Sequence, residues 1–217
     1  MRINRFFADF KLGGVTVTLI THGPLFNQIK NVLRLVKGDQ VILFDNSGYD
    51  FTAELEKVGK DDISLSILET HKHTVLPSRQ TYLFVALIKK DNFEWIAQKA
   101  TELGVSHIIP ILSTRSEKKD LNIERLEKII IEAAEQSGRA TLPVLHKIID
   151  LDSALKEYSQ VKSIAWHPLS IKFVSQDVED VIGAYIGPEG GWSEEEIELF
   201  EKYRVPTRSL GPQVLRS

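Results

Sequence analysis

Ala184-Tyr-Ile-Gly-Pro-Glu-Gly-Gly-Trp-Ser193, followed by Glu194-Glu-Glu196, is the stretch on which the reading of this chain turns. An apolar run at Ile182–Ile186 predicts a strand. It enters the turn Gly187-Pro188-Glu189-Gly190-Gly191, and Ser193 with Glu196 three residues on forms the sequence signature of a capping box that opens a helix. Glycines at a strand-to-helix turn let the backbone come close to a ligand, at the carboxyl edge of a parallel sheet where α/β proteins bind. The same glycines also suit a plain tight connection that needs positive φ, so the residues alone leave both readings open. The turn has no Lys-Ser/Thr after its glycines and lacks the Gly-x-Gly-x-x-Gly spacing, which excludes a P-loop and a dinucleotide fingerprint.

A second turn of the same kind lies at Ser209-Leu-Gly-Pro212, after a strand expected at Pro206–Leu210. Gln213-Val-Leu-Arg216 then reads as a helix start. Two Gly-Pro turns at the ends of neighbouring strands would form two walls of one pocket.

Working back from these turns, strands and helices alternate. Thr81–Ile88 is a continuous apolar run, as in a strand buried on both faces. Phe93, Ile96, Ala97, Ala100 and Leu103 share a helical face, with Asp91 and Glu94 as an expected capping box and Gly104 as the stop. Val105–Leu112 is a second strand. Ile123, Leu126, Ile130 and Ala133 mark a helix closed by Gly138, and Ser163–Trp166 is a further strand. This alternation predicts a parallel sheet covered by helices.

The first 75 residues are different. Val15–Leu19, Val41–Phe44, Phe51–Leu55 and Ile63–Ile67 are short alternating runs separated by Gly13-Gly14, Lys37-Gly38-Asp39, Asn46-Ser47-Gly48 and Lys60-Asp61-Asp62. Such spacing predicts a small β-barrel over residues 1–75. The polar segment His71–Ser78 reads as the linker, and residues 76–217 as the second domain.

Composition narrows the possibilities. At 217 residues, with 42% hydrophobic and 26% charged residues, the chain is an ordinary globular protein long enough to bury a real core. It has no run of about 18 apolar residues that would span a membrane. Charges in Met1–Phe10 stand where a secretory signal would need an apolar core, which predicts a cytoplasmic location. The absence of cysteine removes disulfides, thiolate catalysis and cysteine-ligated zinc. The net charge of −3 divides as nine basic against nine acidic residues before Leu76 and eighteen against twenty-one from it onward. Neither part is basic, so nucleic-acid binding would depend on local Lys and Arg clusters.

Taken together, Ile186–Ser193 and Leu210–Arg216 resemble the paired signature of the RsmE family within the SPOUT RNA methyltransferases. Glu132-Ala-Ala-Glu-Gln-Ser-Gly-Arg139 is similar to its helix ending in Glu-Gln-x-x-Arg, and Lys99-Ala-Thr-Glu-Leu-Gly-Val105 to its Lys-x-x-Glu-Leu-Gly-Val helix end. Trp166-His-Pro168 matches a strand end, and Val32-Leu-Arg-Leu-Val-Lys-Gly-Asp39 matches the Val-Leu-Arg segment of the N-terminal domain. The five matches run in order along nearly the whole chain. Members usually carry a basic residue where Gln213 stands and His where Gln28 stands. They also continue past Arg216 with a Glu-Thr-containing helix, so the resemblance implies that residues 76–217 lack the last helix of the domain.

The resemblance implies an α/β fold: a PUA-like barrel that binds RNA, then a SPOUT domain with a deep trefoil knot, acting as a homodimer without a metal. The implied reaction moves a methyl group from S-adenosylmethionine (SAM) to N3 of a uridine in 16S ribosomal RNA of the small subunit. Trp166, His167, Ile186, Gly187, Pro188, Glu189, Gly190, Gly191, Leu210, Gly211, Val214 and Leu215 are the expected SAM-binding positions. Arg216, which would stabilise the uracil anion left when N3 loses its proton, is the first catalytic candidate, with Arg139 and Gln136 beside it. Each has a plainer reading, as a helix-surface or helix-end polar residue. Glu189 also suits a helix N-terminus by its charge alone, and His167 also suits a packed strand end. Arg5, Arg34, Lys37 and Arg115 are expected phosphate contacts, extended by Lys89, Lys90, Lys118 and Lys119. Two other functions fit the pattern: ribose 2′-O-methylation on the same fold, or a non-catalytic RNA-binding assembly factor. Retention of Gly187, Gly190, Gly191, Gly211 and Arg216 favours a working enzyme over the latter.

Overall fold

The computed structural model describes residues 3–73, 79–116, 119–167, 170 and 182–209. The chain forms two compact units. One comprises Met1–Leu76 with Ile131–Leu142, the other Pro77–Ile130 with Pro143–Ser217.

The first unit is built on a five-stranded sheet. Its elements are β1 (Asn4–Phe7), β2 (Val17–Ile20), the one-turn helix α1 (Pro24–Asn27) running into a π-helical turn at Gln28–Val32, β3 (Gln40–Phe44), β4 (Tyr49–Val58) and β5 (Ile63–Lys72). The strand order is β1-β3-β4-β5-β2, parallel only between β1 and β3. Alternation along β4 puts Phe51, Ala53 and Leu55 inward against Val41, Leu43, Ile63 and Leu65. The expected strand at Val15–Leu19 begins at Val17, and β1 and the helical turn are elements that the turn signals do not disclose. β5 runs to Lys72, so the first residues of the expected linker His71–Ser78 belong to the sheet. Residues 74–78 lie outside the described residues.

Hydrogen bonds tie Ile131–Leu142 to this unit, although the chain pattern assigns that segment to the second domain. Phe7 N–H donates to Glu135 Oε1 at 3.0 Å, Arg5 Nη2 to the Arg139 carbonyl at 3.2 Å, and Leu142 N–H to Asn46 Oδ1 at 2.7 Å. Helical periodicity reports that a segment is a helix, but not which body it joins.

Arg5 and Asp50 form the main ion pair of the unit, with Nη1–Oδ2 at 2.8 Å and Nη2–Oδ1 at 2.5 Å, and Arg5 lies over the Phe44 ring. Burial works to raise the Asp50 carboxyl, but the Arg5 hydrogen bonds and charge, with His73 beside them, hold it below its ordinary value. A carboxylate depressed in the folded state stabilises the fold fully above its unfolded pKa, about pH 4, and that contribution is lost as pH falls through the lower folded value. Urea titrations of an Asp50→Asn variant are therefore expected to show less loss of stability below about pH 4 than the parent. Parallel acid limbs would remove this pair from the acid response.

The second unit holds β6 (Tyr82–Ala86), α2 (Lys90–Glu102), β7 (His107–Leu112), most of α3 (Ile123–Ser137), β8 (Val144–Leu145), β9 (Ile149–Asp150), α4 (Leu151–Glu157), β10 (Ser163–Trp166), β11 (Gly183–Ile186), α5 (Glu194–Lys202) and β12 (Thr207–Arg208). Its sheet is parallel throughout, in the order β12-β10-β11-β6-β7-β8, with β9 also on β7. Phe84 to Ile88 are all buried, as expected for a strand covered on both faces. Phe84 stacks on Tyr185 at 4.1 Å, and Phe200 of α5 packs edge-on against Tyr185 and Trp192.

Three local expectations need correction. The cap of α2 is Lys89, without a side-chain bond, and Glu94 pairs with Arg125 instead of closing a box with Asp91. Leu103, at the helix C-cap, is 84% exposed instead of belonging to the buried face, and Ile123 is exposed at the start of α3. The two Gly-Pro turns do not follow neighbouring strands, because β10 pairs with both β11 and β12 and lies between them. Such insertions are set by long-range pairing and leave no periodic trace in the chain.

Candidate functional site

Because every strand of the second unit runs the same way, the carboxyl ends of β6, β7, β10, β11 and β12 share one edge. The glycine-rich turn leaves β11 there, between the ends of β10 and β6. Ser193 caps α5 with the full reciprocal box: its side chain accepts from Glu196 N–H, and Ser193 N–H donates to Glu196 Oε2 at 2.8 Å. The other carboxylate oxygen of Glu196, a residue 3% exposed, accepts from Thr114 N–H at 2.8 Å. One buried carboxylate thus joins the turn after β7 to the turn after β11.

Arg115 strengthens the same link. Its Nη1 donates to the Gly190 carbonyl at 2.7 Å and to the Trp192 carbonyl at 3.3 Å. Expected from the sequence as a phosphate contact, Arg115 holds the glycine loop with its guanidinium instead. Trp192 is buried, and its Nε1–H donates to the Trp166 carbonyl at 3.1 Å, which connects the loop to the end of β10. Arg115 from the end of β7, and the bond of Trp192 to the end of β10, therefore set the path of Gly190–Trp192 within the protein itself.

The glycines differ in what they allow. A Cβ at Gly187 would stand 3.1–3.3 Å from the Trp192 ring, so this position is closed by the protein itself. Gly191 has φ 68°, where a side chain is strained. At Gly190 a Cβ would meet only Arg115 side-chain carbons, at 3.4 and 3.6 Å, and the residue is exposed. Its backbone is open to a ligand.

Gly187 and Pro188 are buried, Trp166, His167 and Ile186 half-buried, and Glu189 exposed with Asn92 Nδ2 at 3.5 Å from its carboxylate. These residues, with Gly190 and Gly191, come together at the sheet edge. Next to β10, Ser209 follows β12. It is 1% exposed, and its hydroxyl has no hydrogen-bond partner among the described residues. Leu210, Gly211, Gln213, Val214, Leu215 and Arg216 lie outside the described residues, as does Lys118. Arg139 is buried and Gln136 exposed in the segment that joins the first unit. Of the barrel cations, Arg34 and Lys37 are exposed, whereas Arg5 has a side chain 9% exposed and committed to Asp50.

The Arg115 clamp, the Thr114–Glu196 bond and the packing of Trp192 on Phe200 have no counterpart among the sequence-based expectations. Only Glu196 had a local signal, as the third residue of the cap. Among the described residues no cluster of His, Asp and Glu could hold a metal ion, and no helix is long and apolar enough to cross a membrane.

A family profile described as RNA methyltransferase domain matches residues 75–217, and one described as RNA methyltransferase PUA domain matches residues 26–68. Ribosomal RNA small subunit methyltransferase E of Rickettsia conorii is 32% identical over the full chain and 91% of the relative's length. The chain belongs to the ribosomal RNA small subunit methyltransferase E family. The Bacillus subtilis member is 34% identical over 90% of this chain and 83% of its own. The Neisseria gonorrhoeae member, solved bound to S-adenosyl methionine, superposes with a TM-score of 0.91 at 26% identity, covering 99% of this chain and 92% of that one. A Legionella pneumophila protein solved with bound SAM gives 0.89 at 30% identity, covering 100% and 92%. The expected resemblance and the α/β architecture with an N-terminal PUA domain are thereby established for this family member.

Proposed function

We propose that this protein uses SAM to methylate N3 of a uridine in 16S ribosomal RNA of the small subunit, in the cytoplasm and as a homodimer with a SPOUT knot. The observation that carries the reading is the clamped glycine loop at the carboxyl edge of a parallel sheet, in a chain of this family.

The site suits SAM. Gly190 presents open backbone, the loop is held by Arg115 and Trp192 before any ligand arrives, and the buried Ser209 hydroxyl adds a polar group beside the next turn. Gly187, Pro188, Gly190 and Gly191 would hold the cofactor with Trp166, His167, Ile186 and Glu189. Leu210, Gly211, Val214 and Leu215 would form the other wall. Bound SAM supplies an electrophilic methyl group. The protein's part is to place the uracil N3 in line with it and to stabilise the negative charge on the base as the N3 proton departs. Arg216 is proposed for that charge, with Arg139 and Gln136 orienting the RNA. Arg34 and Lys37 are proposed as phosphate contacts; the pairing of Arg5 with Asp50 takes it out of that set.

The decisive experiment is mass mapping of methylated uridines in small-subunit RNA from cells with and without the gene. Loss of one N3-methyluridine on deletion, restored by the intact gene, is expected; an unchanged map overturns the reading. Cofactor placement has its own test. Gly190→Val leaves the protein's own packing nearly untouched but occupies the open face, so calorimetry is expected to show SAM affinity reduced at least tenfold, about the effect of 1.4 kcal/mol of crowding. Unchanged affinity would move the cofactor off this loop. Light scattering at micromolar concentration tests the dimer, and a monomer counts against it.

A further inference from the structure

The first unit contains a cleft of about 260 Å³, lined in part by Gln136 and by none of the residues proposed to hold the cofactor. Phe6 lies at its base, Ile3, Val32 and Leu33 at its mouth, and Gln28 and Glu135 on its polar wall. Val32 is 63% exposed and Leu33 and Ile3 are also open to solvent, an unusual set of aliphatic groups around an opening that contains a buried carboxylate. Glu135 is 8% exposed. One of its oxygens accepts from Phe7 N–H at 3.0 Å, and the other, among the described residues, accepts from Gln28 Nε2 at 3.3 Å. Arg5 also borders the cleft, and its Nε–H has no acceptor among the described residues.

We propose that this cleft takes one unstacked guanine base of the RNA substrate, an inference that rests on the protein being an RNA methyltransferase. The size admits a single base and not a helix. The flat faces of a base suit the aliphatic mouth and the Phe6 floor, since sequence-specific RNA recognition works on splayed bases. The edge chemistry selects among them. A carboxylate backed by the Gln28 side-chain carbonyl presents acceptors, and guanine brings two adjacent donors, N1–H and the N2 amine. Its O6 next to them is an acceptor, and Arg5 on the lining of the cleft is a cation. Uracil sets acceptors on both sides of its one donor, and cytosine and adenine offer a single amine beside a ring acceptor, so each would turn a lone pair toward the carboxylate.

Burial pushes the Glu135 carboxyl above its ordinary value, the Glu132 charge adding to it against the Phe7 and Gln28 bonds. With one described donor on each oxygen, the carboxylate has lone pairs left for the two donors of the guanine edge. Arg34 follows the mouth residues directly. It is exposed and held at φ 51°, a left-handed backbone that non-glycine residues adopt at a cost. An exposed cation directly after the mouth residues suits the phosphate of an inserted nucleotide.

Fluorescence anisotropy of the full-length protein with labelled single-stranded RNA tetranucleotides UGUU, UIUU, UAUU and UCUU tests the proposal. UGUU is expected to bind about tenfold tighter than UAUU and UCUU, with inosine between them, as for a two-bond base contact. Glu135→Gln keeps an acceptor for Phe7 N–H and is expected to erase the guanine preference. Should that variant not fold, Val32→Glu adds a charge at an exposed position and is expected to weaken UGUU most. GMP and GTP serve as competitors to distinguish sources: either one outcompeting UGUU would assign the cleft to a free nucleotide and overturn the RNA assignment. Equal binding of all four oligonucleotides, or parent-like binding by both variants, overturns the cleft. SAM affinity and methyl transfer measured on the same proteins separate this from the proposed activity. Transfer without base preference overturns the cleft alone, whereas guanine preference in a protein that transfers nothing supports the cleft and counts against the activity.

Discussion

Arg216→Ala is expected to bind SAM about as tightly as the parent and to transfer the methyl group on the order of a hundred- to a thousand-fold more slowly, the usual consequence of removing one preorganised donor from a developing charge. In the role proposed for Arg216, loss of the N3 proton would leave the uracil anionic, and a guanidinium beside its carbonyl oxygens would stabilise that state far more than the neutral base. Arg216→Lys is expected to recover little, because a point charge on a flexible stem does not replace a planar fork. Single-turnover rates and calorimetric SAM affinities on the same preparations test this. A parent-like rate for Arg216→Ala would make the arginine structural, and equal losses in rate and affinity would place it against the cofactor.

The second large effect concerns Glu196. Its two oxygens serve Ser193 N–H and Thr114 N–H, so Glu196→Ala leaves the buried Ser193 donor and the Thr114 donor without their acceptor and removes the carboxylate half of the α5 capping box, while the Ser193 side chain still accepts from the backbone N–H of residue 196. The expected cost is about 2 kcal/mol, or roughly 5 °C in melting temperature for a chain of this size. Glu196→Gln keeps one acceptor oxygen and is expected to fall between the two. SAM affinity should drop in the same order, since the carboxylate also ties the glycine loop to the end of β7. Thermal unfolding by circular dichroism with and without SAM reads both effects. A Glu196→Ala protein that melts with the parent would show that water replaces both bonds.

Much of this was legible in the chain. The continuous apolar run around Phe84, the strand ending at Ile186 and the Ser193–Glu196 cap are local patterns, and each appears in the structure as read. The family resemblance, carried by short ordered motifs, agrees with the full-length relatives. Local pattern failed where solvent exposure or partner choice depended on distant residues: Leu103 at its exposed C-cap, Glu94 bonded to Arg125, and Arg115 turned onto the Gly190 carbonyl.

What the sequence determined by itself is the longer strands and helices and the glycine-rich turn between β11 and α5, because helix period, strand alternation, caps and glycine turns are properties of a few neighbouring residues. What only the tertiary structure decided is which elements meet. β10 lies between the two turn-bearing strands, residues 131–142 join the first unit, and Glu135 comes to line a cleft with Gln28. These are pairings across 100 residues or more for the Gln28 and Phe7 bonds to Glu135. They are chosen by burial and hydrogen-bond satisfaction over the whole chain, for which no local stretch carries the signal.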